Sequence, residues 1–99
     1  MTTVATRDDA ARIAGALVIA KLAACVQVLP MESYYTWRNA IAHENEFLLL
    51  IKTRTALVDD LLHAIEAAHP YETPEIVFTE FKEGSADYFS WIESVTKSG

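Results

Sequence analysis

Glu46-Phe47-Leu48-Leu49-Leu50-Ile51-Lys52 is the stretch on which the fold turns. Apolar side chains follow one another without interruption between two charged ends, so neither face of an extended segment here is polar. Such a run fits a strand buried on both faces, although periodicity alone does not exclude a helix. Upstream, residues 24–29 form a compact β-prone run closed by Pro30, with Val26 and Val28 among its apolar positions. Residues 31–37 are rich in aromatics and suit a second extended segment, and the polar stretch 38–45 reads as a turn region. Downstream, residues 75–81 alternate, Ile76, Phe78 and Glu80 facing one way and Val77, Thr79 and Phe81 the other, which predicts a half-buried strand. The first five residues are weakly β-like.

Between these strands lie helical patterns. Thr6 is placed to cap a helix over residues 7–21, with Asp9 three residues on and Ala10, Ile13, Leu17 and Ala20 at helical spacing. Gly15 inside it costs about 1 kcal/mol relative to Ala and leaves room for a close approach. Thr55 is placed to cap a second helix whose inward stripe is Leu57, Leu61, Ala64, Ile65 and Ala68, and Pro70 stops it. Ser85 opens a last helix with Tyr88, Trp91, Ile92 and Val95 on its apolar face. The order β-α-β-β-α-β-α is that of an α+β chain, a ferredoxin-like split βαβ sandwich with helices on one face of an antiparallel sheet and an added C-terminal helix. Val26, Val28, Leu48 and Leu50 sit in strands that are apolar at both parities. The face without helices therefore needs cover, and the expectation is a second sheet from another copy.

The chain has 99 residues, the length of a single domain, with 52% hydrophobic and 22% charged residues, which excludes disorder and low-complexity linker. A chain this short buries only about 60–70% of its unfolded surface. A ligand site is thus expected at a subunit boundary rather than in a deep private pocket. Eight Lys and Arg stand against 14 Asp and Glu, a formal charge of −6, and the basic residues are scattered singly. That argues against nucleic acid as a partner. No apolar stretch approaches the roughly 20 residues a bilayer span needs, so no membrane partner is expected. Arg7, Asp8 and Asp9 interrupt any early apolar run, leaving a soluble cytoplasmic protein as the expectation. Cys25 is the single cysteine and lies in an apolar setting, suited to packing or, alternatively, to a thiolate ligand.

Among groups that carry chemistry, His69 is the leading metal-ligand candidate, at a helix end beside Glu72 and Glu75. The alternative is a histidine that closes the helix terminus. One His with carboxylates would make a weak, exchangeable site. His43 with Glu44 and Glu46 forms a second acidic group, and His63 shares a helix face with Asp59. Tyr34, Tyr35, Trp37 and Trp91 suit either an interface or a cleft between subunits. No Gly-rich phosphate loop, zinc-binding helix motif or nucleophile elbow is present, so catalysis is not expected.

The segment His69-Pro70-Tyr71-Glu72-Thr73-Pro74-Glu75-Ile76 resembles the signature of the CutA family of divalent-cation tolerance proteins. Leu22-Ala23-Ala24-Cys25-Val26, Tyr35-Thr36-Trp37, Ile51-Lys52-Thr53 and Asp87-Tyr88-Phe89-Ser90-Trp91-Ile92 follow in that family's order. The resemblance implies a homotrimer of ferredoxin-like subunits with sheets packed around a three-fold axis, linked to tolerance of copper and other divalent metal ions. On that basis the metal candidates are His69, Cys25 and Glu72, with copper or another divalent ion weakly bound, and the intersubunit cleft candidates are Tyr35, Trp37, Lys52 and Trp91. Two positions at which some members carry copper ligands hold Ala68 and, on the short first strand, Thr2. A trimeric small-molecule sensor of PII-type architecture is the alternative reading.

Overall fold

The computed structural model describes residues 1–98. Strand β1 (Thr2–Val4) leads into helix α1 (Arg7–Ile19). Thr6 caps α1 as expected: it is extended, and its hydroxyl accepts the Asp9 N–H at 3.1 Å. The helix ends at Ile19 rather than at residue 21, because Lys21 adopts φ 59° and the Leu22 N–H reaches back to the Leu17 carbonyl at 3.0 Å. That is the left-handed helix stop more often built on glycine. Nothing lies within 4 Å of a Cβ placed on Gly15, so the close approach anticipated there is absent within the described chain.

Strands β2 (Cys25–Trp37) and β3 (Ala40–Lys52) then form one uninterrupted antiparallel hairpin, in register from Trp37↔Ala40 to Cys25↔Lys52. The expected turn over residues 38–45 shrinks to Arg38 and Asn39, with φ 51° and 62°. Positive φ at both central residues defines the two-residue type I′ turn, whose twist matches that of the flanking strands. The Arg38 guanidinium lies over the Trp37 ring, 5.6 Å from its centroid. Pro30 does not end the strand. It pairs with Phe47 in β2, an edge strand of a sheet ordered β1-β3-β2. Hydrogen-bonded and non-hydrogen-bonded pairs alternate from the turn, and Pro30 lies an odd number of residues from Trp37, at a non-hydrogen-bonded position. Its missing N–H would have faced outward in any case.

Register assigns the side chains to faces. Val4, Val26, Val28, Phe47, Leu49 and Ile51 point toward the helices. There they meet Ala10, Ile13 and Leu17 of α1 and Leu61 and Ile65 of helix α2 (Val58–Ala68) in one core cluster. Burial at this cluster supplies the main stabilising term, at about 25 cal/mol per Å² of apolar surface. Thr3, Cys25, Leu29, Met31, Leu48 and Leu50 point the other way, and none of them belongs to that cluster. Leu29 is 43% exposed. The α+β architecture with helices on one face is as expected.

Three details differ from expectation. Thr55 opens a short 3₁₀ turn, Thr55–Leu57, rather than capping α2. The segment 75–81 forms only a single bridge, Thr2↔Ile76, reinforced by the Val77 N–H donating to the Met1 carbonyl at 3.0 Å. It runs antiparallel to β1, and residues 78–81 form no strand. Ile76 nonetheless stands at the edge of β1 where the split βαβ arrangement has its fourth strand. Helix α3 (Ala86–Val95) is capped by Ser85, whose hydroxyl accepts the Tyr88 N–H at 3.1 Å. It buries only Ile92, and its Tyr88, Trp91 and Val95 remain well exposed.

Candidate functional site

Pro70 forces the residue before it out of the helical region, and His69 is accordingly extended at φ −76°, ψ 133°, closing α2 with its N–H on the Ile65 carbonyl. That turn drives the imidazole inward, where it is 8% exposed. Nδ1 accepts the Tyr71 N–H at 3.1 Å, which leaves Nε2 as the protonated nitrogen, donating to the Thr3 carbonyl at 2.7 Å. Both ring nitrogens are thus committed to backbone groups, and the ring pins the segment after α2 against β1. In this arrangement no imidazole lone pair is free for a metal ion.

The other two metal candidates do not join it. Thr3 is in register with Leu48, whereas Cys25 is in register with Lys52, four residues further along β3. At about 3.3 Å per residue that separates the two positions by about 13 Å. Cys25 is part-exposed on the face away from the helices. Glu72 is exposed in the loop after His69. Among the described residues no group of three or more His, Cys, Asp or Glu side chains is placed to hold a metal ion. The chain by itself therefore does not fit a resident metal centre.

What the fold does assemble is a cavity of about 880 Å³ between the outer half of the hairpin and the loop after α2. Tyr35, Trp37, Glu44 and Glu46 share one sheet face by register, and Tyr71, Glu72 and Glu75 come from the loop. The Tyr71 hydroxyl donates to a Glu46 carboxylate oxygen at 3.1 Å. Partial burial, the Glu46 hydrogen bond and the Glu46 and Glu44 charges push the Tyr71 phenol up to about 12. Tyr35 is raised as well, by desolvation and then by Glu44 and Glu46. Both phenols therefore stay neutral donors at physiological pH. Sequence reasoning named Tyr35, Trp37 and Glu72 but missed Tyr71 and Glu46 as partners. The signal for them is the two-residue periodicity that puts Glu44 and Glu46 on the face of Tyr35.

Lys52 and Trp91 lie elsewhere. Lys52 is at the opposite end of the hairpin, its Nζ donating to Gln27 Oε1 at 2.9 Å, and Trp91 is on α3 beside Tyr88. Tyr35 is in register with Ala42, ten residues from Lys52, or about 33 Å along the strand. His43, assigned to a loop by sequence, stands on β3, stacked on Tyr34 with ring centroids 4.1 Å apart and hydrogen-bonded to Glu32 at 2.9 Å.

An antiparallel sheet with helices on one face, an uncovered apolar face on the other and a long hairpin with an acidic, aromatic cavity define a small α+β protein of the split βαβ class. The chain belongs to the CutA1 divalent ion tolerance protein family, whose profile matches residues 1–95. It is 38% identical to the chloroplastic Protein CutA 1 of Oryza sativa over 96% of its own length, and it spans 54% of that protein. It is 39% identical to the divalent-cation tolerance protein CutA of Thermus thermophilus, over 97% of this chain and 94% of that one. The crystal structure of CutA1 from Shewanella sp. SIB1 superposes with a TM-score of 0.94 at 41% identity, covering 98% of this chain and 92% of that chain. These matches support the CutA reading over a PII-type regulator. Among the described residues no helix is long and apolar enough to cross a membrane.

Proposed function

We propose that this protein is a single-domain homotrimer that takes part in the response to divalent metal ions by binding rather than by catalysis. The observation that carries the reading is the sheet face bearing Leu29, Leu48 and Leu50, which the helices of the same chain leave uncovered. An apolar face of this kind marks an interaction surface. The exposed apolar side of α3 and the unpaired backbone after Val77 support the same reading, since each lacks a partner among the described residues. Tyr35 and Trp37 can share a cleft with Lys52 and Trp91 only if the hairpin tip of one copy reaches the base of another, about 33 Å away along its own strand. The lone cysteine fits a reducing, cytoplasmic setting.

Metal contact is then weak and exchangeable, made by copper or another divalent ion with the part-exposed Cys25 and the exposed Glu72 among its contacts, where copies meet. Calorimetric titration with copper(II) tests this. The expected result is a shallow saturable heat that falls in Cys25→Ser and in Glu72→Gln and persists in a variant altered only on the outer face of α1. Equal heats in all variants would remove both residues from the site, and a tight stoichiometric site in the isolated monomer would overturn the reading.

A further inference from the structure

Among the described residues, His43 is the histidine that pairs with a carboxylate. Its Nε2 lies 2.9 Å from Glu32 Oε1, and both side chains are exposed. Register explains the meeting. Tyr34 stands opposite His43 and Asn45 opposite Glu32, so Glu32 and His43 are diagonal neighbours on one sheet face. It is not the face of Leu29, Leu48 and Leu50. It is the face that the helices cover nearer the base of the hairpin, and at this outer end it is bare, with Tyr34 68% and Ile41 81% exposed.

The pair is oriented as well as close. An exposed ion pair ordinarily samples many geometries. Here the Tyr34 ring lies flat on the imidazole, with centroids 4.1 Å apart and planes 5° from parallel, which fixes the plane in which Nε2 meets Glu32. His69, by contrast, has both nitrogens on backbone groups and is buried.

The separation of the two atoms selects a kind of ion. Metal bonds of about 2.0–2.1 Å to imidazole and about 2.0–2.2 Å to carboxylate set their donor atoms about 2.9 Å apart at a right angle, and about 3.4 Å apart at the tetrahedral angle. The observed 2.9 Å fits the right angle. Tetragonal nitrogen and oxygen coordination is the preference of copper(II), which also binds a given site of this type more tightly than zinc does. Coordination through Nε2 leaves the proton of the neutral ring on Nδ1. No Lys or Arg occurs over residues 25–37 or 40–51 to repel a cation, and the formal charge of −6 draws cations to the chain.

We propose that His43 and Glu32 form an exchangeable copper(II) site, with water completing the coordination. Two protein ligands fall short of a resident centre, in keeping with the absence of any larger ligand group among the described residues. The proposal rests on the metal-response reading for the choice of ion, but not for its ligands. Cys25 is seven residues from Glu32 along β2, about 23 Å away, and Glu72 lines the cavity of Glu44 and Glu46 on the other sheet face.

The test is electron paramagnetic resonance of the whole chain titrated with copper(II) at neutral pH. The expected result is a tetragonal signal split by one imidazole nitrogen per chain. His43→Phe keeps an aromatic ring for the Tyr34 stack and abolishes that signal. Glu32→Gln weakens binding about tenfold, as one unit charge leaves the site. The signal is unchanged in His63→Asn, on α2, and in Cys25→Ser/Glu72→Gln. His43 and Glu32 are exposed, so their variants retain the core, and unchanged unfolding midpoints confirm it. Persistence of the signal in His43→Phe overturns the proposal, as does its loss in His63→Asn, or displacement of copper by an equal concentration of zinc. Copper heats that fall in Cys25→Ser while no His43-dependent signal exists overturn this site and leave the preceding reading standing.

Discussion

His69 shows how one side chain changes role between sequence and structure. Its position before Pro70 foretells a helix end, and its neighbours Glu72 and Glu75 suggest a metal ligand. The structure instead commits both nitrogens to the Thr3 carbonyl and the Tyr71 N–H, with His69 only 8% exposed. A buried donor or acceptor left unpaired costs about 1–3 kcal/mol, and His69→Ala leaves one of each. The expected outcome is a loss of about 2–4 kcal/mol in urea unfolding, with copper heats no lower than those of the folded wild type. A marked drop in copper binding without loss of stability would restore His69 as a ligand. No sequence signal distinguishes the two roles, because Thr3 lies 66 residues away along the chain.

At the scale of elements, the helical stripes were legible, and so were two of the three caps, Thr55 being the exception. Thr6 and Ser85 cap where their spacing to an acidic or aromatic first turn predicts. The hairpin was legible in part. Residues 24–29, 31–37 and 46–52 read as extended, but Arg38-Asn39 lacks the glycine that usually announces a two-residue turn, and the polar 38–45 hid the continuation of β3. Each of these residues has positive φ, which costs a non-glycine residue about 1–2 kcal/mol. Asn39→Gly is therefore expected to raise the midpoint of thermal unfolding slightly, by up to about 1 kcal/mol in stability, and Asn39→Val to lower it by a larger amount. Equal midpoints for the two variants would show that the turn does not hold this geometry in solution. The predicted strand over 75–81 is reduced to one bridge, Thr2↔Ile76, beside a β1 of three residues.

At the scale of the whole molecule, the sheet divides the chain into a filled side and an open side. Leu49 is fully buried against the helices, while its neighbours Leu48 and Leu50 face away from them. Leu29, on the open face and in register with Leu48, gives a direct test of what covers that face. Leu29→Glu leaves the helix-side core untouched. The expected outcome in sedimentation is a shift from trimer to monomer with helix and strand content retained. A variant that sediments as the wild type does would overturn the assembly reading. The uninterrupted apolar run 47–51 already implied cover on two sides. Which chain supplies the second cover is a property of an assembly, on which one chain's periodicity is silent.

Sequence alone determined the α+β class, the order of the helices and of the first three strands, the caps at Thr6 and Ser85 and the two-sided apolar character of the central strand. Those features follow from local spacing, from side-chain periods of two and of about 3.6 that survive without any tertiary contact. Tertiary structure alone decided the occupation of His69, the separation of Cys25 from it, the division of the expected cleft residues between two ends of the hairpin, and the meeting of Tyr71 with Glu46. Each of these depends on how far apart the register and the chain crossings set residues distant in sequence, and such distances are settled only when the strands pair.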